Sequence, residues 1–163
     1  MKIFCLIGAV SLLLAGCGGD SKNNTTPKAF KVNLDGNYEL SQVSCTVGDL
    51  DEDFSVGLAV IEGMELAIQG ASLTIVTVID ESCTITAKST ISDIIDSSIS
   101  TIEGPTTYSE SCPSEFKEES GESKADKVAY STSGKTLTII SSNDEDGVCV
   151  DPEGVLVHTW SKK

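Results

Sequence analysis

Apolar and polar positions fall into three successive patterns along the chain. Behind Met1-Lys2, residues 3–15 are an almost unbroken apolar run. Residues 18–31 show no hydrophobic period at all. Beyond them, apolar and polar residues alternate. Met64, Leu66 and Ile68 alternate with Glu65, Ala67 and Gln69. Cys83, Ile85 and Ala87 alternate with Thr84, Thr86 and Lys88, and Leu137, Ile139 and Ser141 with Thr136, Thr138 and Ile140. A period of two turns one face to a core and the other to water, which predicts strands. Further strands are predicted over 37–46, 72–79, 106–112, 127–132 and 155–161. Turn-forming residues separate many of them: Gln69-Gly70, Asp80-Glu81-Ser82, Gly104-Pro105, Ser133-Gly134 and the stretch from Asn143 to Gly147.

One segment carries two patterns. Ile91, Ile94, Ile95, Ile99 and Ile102 share one face of an ideal helix. The Ser, Thr and Asp residues between them form helices poorly, and isoleucine is stiff at its branched carbon. The expectation is a turn near Asp93 to Asp96 followed by a strand over 97–102, with a short amphipathic helix as the alternative. About eight or nine short strands at close spacing predict an all-β domain, an antiparallel up-and-down barrel, with a β-sandwich as the alternative. An immunoglobulin-type sandwich fits less well, because Trp160 follows all the cysteines instead of lying between two of them.

The opening apolar run is too short for a comfortable transmembrane helix and has the layout of a secretory signal. It ends in Leu14-Ala15-Gly16-Cys17. This resembles the lipobox of bacterial lipoprotein precursors. The resemblance implies that residues 1–16 are removed and that the Cys17 thiol carries diacylglycerol. An acylated amino group there would fasten the chain to a membrane, each buried methylene contributing about 0.8 kcal/mol. In enteric lipoproteins Asp after the lipidated cysteine favours the inner membrane; Gly18 here points to the outer membrane. Residues 18–31, rich in small polar residues, read as a flexible tether reaching roughly 45 Å when extended. Residues 32–163 are then the folded unit.

A second resemblance lies at the two ends of that unit. Leu34-Asp35-Gly36-Asn37-Tyr38-Glu39-Leu40 resembles the opening strand of lipocalin-like bacterial domains, with Tyr38 where Trp is usual. Leu156-Val157-His158-Thr159-Trp160-Ser161-Lys162 resembles their closing strand. The resemblance implies a barrel able to accept a small apolar ligand.

Charge narrows the partners. The 163 residues include 25 Asp and Glu against 11 Lys, a net charge of −14, and there is no Arg. Such a chain cannot replace the counterions around phosphates, so nucleic acid is excluded as a partner. A cationic protein is a suitable partner, because the charge would speed encounter. The acidic clusters Asp49-Asp53, Glu115-Glu122 and Asp144-Asp146 read as solvated loops.

Cys5 leaves with the signal and Cys17 carries lipid, leaving Cys45, Cys83, Cys112 and Cys149. In an exported domain four cysteines read as two disulfides. Three pairings exist. Cys45–Cys83 with Cys112–Cys149 is preferred, because each bond then stays in one half of the domain. Each would close a loop of just under forty residues, contributing roughly 4 kcal/mol. Spacings of 38, 29 and 37 residues lack the close Cys pairs of a zinc or redox site.

Ser142, Asp144, Asp146, Gly147 and Glu153 fall at positions 1, 3, 5, 6 and 12 of a calcium-loop pattern, with Ser for the usual first Asp. A preceding strand, Cys149 inside the loop and Pro152 near its end oppose that reading, and no metal or other cofactor is expected. His158 is the only imidazole. It shares a strand face with Leu156 and Trp160, and a packed or surface-lying strand histidine is its expected role. No nucleophile elbow or phosphate loop is present. The expectation is a monomeric, non-enzymatic, lipid-anchored binding module of the cell envelope. The alternatives are a structural or interaction protein there, and an inhibitor of a basic envelope-attacking enzyme such as lysozyme.

Overall fold

The computed structural model describes residues 32–95, 97–114, 125–141 and 148–163. The lipobox, Cys17 and the tether lie outside them. The elements in chain order are β1 (Gly36–Cys45), α1 (Glu52–Ala59), β2 (Gly63–Gln69), β3 (Ser72–Asp80), β4 (Cys83–Ile95), β5 (Ser98–Tyr108), β6 (Ala125–Ser133), β7 (Thr136–Ser141) and β8 (Leu156–Lys162). Each strand pairs antiparallel with the next, and β8 returns to pair with β1. The result is a closed eight-stranded up-and-down barrel, not a sandwich. Closure removes the sheet edges that invite aggregation.

The alternation seen in the sequence is the inside–outside alternation of the wall. Met64, Leu66 and Ile68 of β2 are buried, as are Cys83, Ile85 and Ala87 of β4 and Leu137, Ile139 and Ser141 of β7. Two hairpins turn on glycines with positive φ, Gly70 at 58° and Gly134 at 60°, each first in a two-residue loop. Such loops match the strand twist only when that position tolerates φ above zero. The β3–β4 hairpin relies on Asp80 instead. Its carboxylate accepts from the Ser82 N–H and hydroxyl, both at 2.7 Å, and from the Cys83 N–H at 2.9 Å.

Four details differ from expectation. The isoleucine-rich segment is not a helix: the strand expected over 97–102 is present as the first part of β5, but the turn starts later than expected, with β4 continuing to Ile95 and β5 beginning at Ser98. Ile91 and Ile99 face inward while Ile95 and Ile102 are exposed. The strand expected over 106–112 is split. Thr106 to Tyr108 end β5, and Cys112 sits in a turn closed by its own N–H donating to the Ser109 carbonyl at 3.1 Å.

The early acidic cluster also builds a helix. Asp51 caps α1 by accepting from the Asp53 N–H at 2.9 Å, and Glu52 and Asp53 occupy the first turn, where carboxylates offset the exposed N–H dipoles. An eight-residue helix has little stability of its own. Its anchor is Phe54, buried with Val148 and Leu156.

The disulfides also differ from the preferred pairing. Cys45 bonds Cys149 and Cys83 bonds Cys112. Confining each bond to one half of the chain ignored closure. The end of β1 lies beside the start of β8, where Cys45 faces Leu156, and a Leu50–Cys149 bridge brings Cys149 to the same place. Cys83 opens β4, whose neighbour β5 leads directly to Cys112.

Candidate functional site

The barrel interior is not uniformly apolar. One large cluster, including Leu66, Ile75, Ile91, Leu137 and Trp160, fills the part nearest the starts of β1 and β3. That end is sealed. The buried Tyr38 hydroxyl donates to the Leu34 carbonyl at 2.7 Å. The Lys162 ammonium donates to the Asp35 carbonyl at 2.6 Å and lies 5.7 Å from the Tyr38 ring centre. Burial first, and the nearby Asp35 charge second, raise the Tyr38 phenol above its ordinary value, so it stays a neutral donor. Two smaller clusters close the other end: Ile79, Cys83, Ile85 and Cys112, and then Phe54, Val148 and Leu156.

Polar side chains lie between these layers. Thr77 sits between Ile75 of the large cluster and Ile79 of the second. His158 sits between Leu156 and Trp160. Ser89 precedes Ile91 on the inward face of β4, Thr101 follows Ile99 on β5, and Ser141 follows Ile139 on β7. All five are buried, Thr77 at 1% exposure and His158 at 3%. Thr77 Oγ1, Ser89 Oγ, Ser141 Oγ, His158 Nδ1 and Trp160 Nε1 have no hydrogen-bond partner. Each such orphan costs about 1–3 kcal/mol, and buried polar groups are normally satisfied. Four of these orphans lie in the polar layer, and the fifth, Trp160 Nε1, lies in the large cluster beside His158.

The belt is electrically neutral. Desolvation pushes the His158 imidazole down to a pKa of about 4, so it is uncharged at neutral pH. Its ring stacks on Trp160 with centres 6.5 Å apart and planes inclined by 26°. Nδ1 is unpartnered among the described residues, so no carboxylate there orients the ring through that nitrogen.

A cleft lies against the same layer. β1 pairs with β2 only from Gly36 to Glu39, yet pairs with β8 up to Cys45. A bulge at Ser41, whose hydroxyl donates to the Thr159 carbonyl at 2.9 Å, bends β1 where it leaves β2. The split holds a cleft of about 270 Å³ lined by Leu40 to Val43, Leu58 and Ile61 to Met64. The register sets the belt on both sides of it. Met64 faces Thr77, Val43 faces His158 and Leu40 faces Trp160. Gly63 stands at the cleft with no atom within 4 Å of where a Cβ would be.

Of the residues singled out in the sequence, His158 lies within this belt. Ser142, Asp144, Asp146 and Gly147 lie outside the described residues. Glu153 lies in a turn where its N–H donates to the Asp151 carboxylate at 2.8 Å. Among the described residues no three metal-ligating side chains gather. Thr77, Ser89, Thr101 and Ser141 were missed as a site. Their signal was available, since each is a polar residue in an otherwise apolar inward register. Only the barrel register brings them to one level. Compared with known families, curated proteins and solved structures, the chain matches none. The class it defines is therefore structural: a closed eight-stranded barrel with a polar belt and a lateral cleft.

Proposed function

We propose that this chain is a lipid-anchored envelope lipoprotein, held through Cys17 in the outer membrane. In this reading the barrel is a non-enzymatic binding module for a small, mainly apolar molecule. The cleft between β1 and β2 carries the reading. Leu40, Val43, Leu58, Ile61 and Met64 give it apolar surface, Ser41, Gln42 and Glu62 share its lining, and it flanks the barrel interior. Eight-stranded barrels are wide enough for their own side chains or one small ligand, and concave, mostly apolar sites with a few polar groups are the usual form of such sites.

Two measurements test it. Labelled palmitate fed to the host is incorporated into the wild type and not into Cys17→Ala. For binding, Trp160 is the sole tryptophan and serves as an energy donor to N-phenyl-1-naphthylamine. Full-length protein in detergent micelles is expected to give saturable transfer, and Gly63→Leu, which fills the cleft mouth, to weaken it at least tenfold. Equal transfer in both proteins would remove the cleft as the binding route.

A second reading rests on charge. Asp49, Asp51, Glu52, Asp53 and Glu62 lie between β1 and β2, Asp80 and Glu81 about the β3–β4 turn, and Asp151 and Glu153 before β8. These connections leave from the same end of an up-and-down barrel. A strongly acidic end suits capture of a basic envelope-attacking enzyme. Inhibition of lysozyme at low salt, relieved by added salt, would support this reading; no inhibition would end it.

A further inference from the structure

Helix α1 is apolar on both faces. Phe54 and Gly57 are buried, and Leu58 packs half-buried beside Phe54. The opposite face of a helix that meets only water is normally polar. Here it carries Val56 and Val60, one turn apart, with exposed Ala59 beside them. Val56 is 62% exposed and Val60, at the helix C-cap, 49%. The same end of the barrel holds two more exposed valines. The segment after β1 runs antiparallel to the one before β8: the Thr46 N–H donates to the Val155 carbonyl at 3.1 Å, the Val150 N–H to the Asp49 carbonyl at 3.0 Å, and the Asp51 N–H to the Val148 carbonyl at 2.9 Å. Val47 and Val150 belong to this pair and are both exposed. Of the seven large apolar residues exposed among those described, four therefore lie in the connections at this one end. Single exposed apolar residues are ordinary; their grouping is what marks a contact surface.

Charge decides what covers these valines. Glu52 and Asp53 open α1 itself, Glu62 follows it, and the other carboxylates of this end stand in the neighbouring connections. Among the described residues no lysine lies there. Lys135, Lys162 and Lys163 are at the sealed end, and Lys88 and Lys127 are in the strands of the wall. A second copy of this chain would bring carboxylates against carboxylates, and an anionic lipid surface would meet the same repulsion. A basic protein supplies the missing sign. The chain enters β1 from the sealed end, so with an anchor at Cys17 the valine end points away from the membrane and is open to such a partner.

We infer that the outer face of α1, with Val56 and Val60 at its centre and carboxylates at its rim, is the docking surface for a basic protein that carries an apolar spot among its cations. The inference rests on the second reading above and adds the contact that gives it selectivity. Specific interfaces have this anatomy, an apolar centre depleted of charge inside a polar rim. The rim steers the encounter and weakens with salt, while the desolvated centre sets how long the partner stays.

The test titrates full-length protein, held in nonionic detergent micelles, with two basic proteins, lysozyme and cytochrome c, and with acidic α-lactalbumin. At low salt the two basic proteins are expected to bind saturably and α-lactalbumin not to bind. Val56→Ser combined with Val60→Ser, both at exposed positions, is expected to weaken binding at least tenfold and to leave its salt dependence and the urea midpoint unchanged. Val56→Lys, which keeps a good helix former there and sets a cation in the apolar centre, is expected to abolish binding. Ile102→Ser, at an exposed position on the barrel wall, is expected to change nothing. Equal affinity in the wild type and both valine variants would overturn the inference, and inhibition of lysozyme in that case would leave the charge reading standing. Valine-dependent binding without inhibition of lysozyme would support the inference and end the inhibitor reading. Binding of α-lactalbumin as tight as that of the basic proteins, or no binding of either basic protein, would overturn the inference.

Discussion

Cys45 and Cys149 are 104 positions apart in sequence and joined by a disulfide, with Cα atoms 5.9 Å apart. The bond lies where the end of the first strand meets the entry to the last. It therefore locks the seam of the barrel, and the second bond, Cys83–Cys112, ties the neighbouring β4–β5 pair over only 29 positions. The two bonds act on very different lengths of unfolded chain.

Peptide mapping under non-reducing conditions checks this directly. The expected linked peptides contain Cys45 with Cys149 and Cys83 with Cys112. In the chain-entropy account the long loop contributes roughly 4.7 kcal/mol and the short one roughly 3.6 kcal/mol. Replacing Cys45 and Cys149 together by serine is therefore expected to lower the denaturation midpoint more than replacing Cys83 and Cys112. A Cys45–Cys83 linked peptide would contradict the barrel seam itself.

How much of this was legible in the chain depends on the range of the interactions involved. The inward faces of β2, β4 and β7 were legible because Leu66, Ile85 and Leu137 stand in a strict period of two, a local property. The number and type of strands followed from the same period. Helix α1 was not legible: eight residues held by a cap at Asp51 and one buried ring at Phe54 leave no sustained period. The disulfide pairing and the cleft were hidden for a different reason. Both depend on which strand neighbours β1, and that is settled by closure over more than a hundred residues. The belt lies between these cases. Ser89, Thr101 and Ser141 announce themselves as polar residues in apolar registers, but their common level in the barrel is a property of the shear.

His158 gives the fold a pH dependence with a definite sign. Its pKa is about 4 in the folded protein against 6.5 ordinarily, because burial disfavours the charged ring. The unfolded chain thus binds a proton that the folded chain refuses. The resulting stability is fully present above about pH 6.5 and declines as pH falls toward 4, by roughly 3 kcal/mol in all. Asp80, held below its ordinary value of 3.8 chiefly by its bonds to Ser82, loses its contribution only below that range. Urea midpoints at pH 7 and pH 4.5 are expected to differ more for the wild type than for His158→Leu. As the chain has one histidine, an unchanged pH dependence in the variant would mean that the ring is not buried.

Two strand glycines are expected to respond oppositely to alanine. A Cβ at Gly104 would lie 2.8 Å from the Lys88 carbonyl oxygen, a backbone atom that cannot swing away. This is the point where β4 and β5 slip register between Ala87 and Ser89, so the missing side chain is what lets the two backbones approach at the bulge. Gly104→Ala must spread the pair and is expected to cost about 1–3 kcal/mol, in the range of other overpacking substitutions. At Gly63 a Cβ meets nothing within 4 Å, and its φ is not in the positive range. Alanine there only removes freedom from the unfolded chain, so Gly63→Ala is expected to be neutral or to stabilise by about 0.4–1 kcal/mol. Paired thermal melts of the two variants check the contrast. Because Gly63 borders the cleft, a stabilised Gly63→Ala that keeps its fold also shows that larger residues at this position act on access to the barrel and not on its integrity.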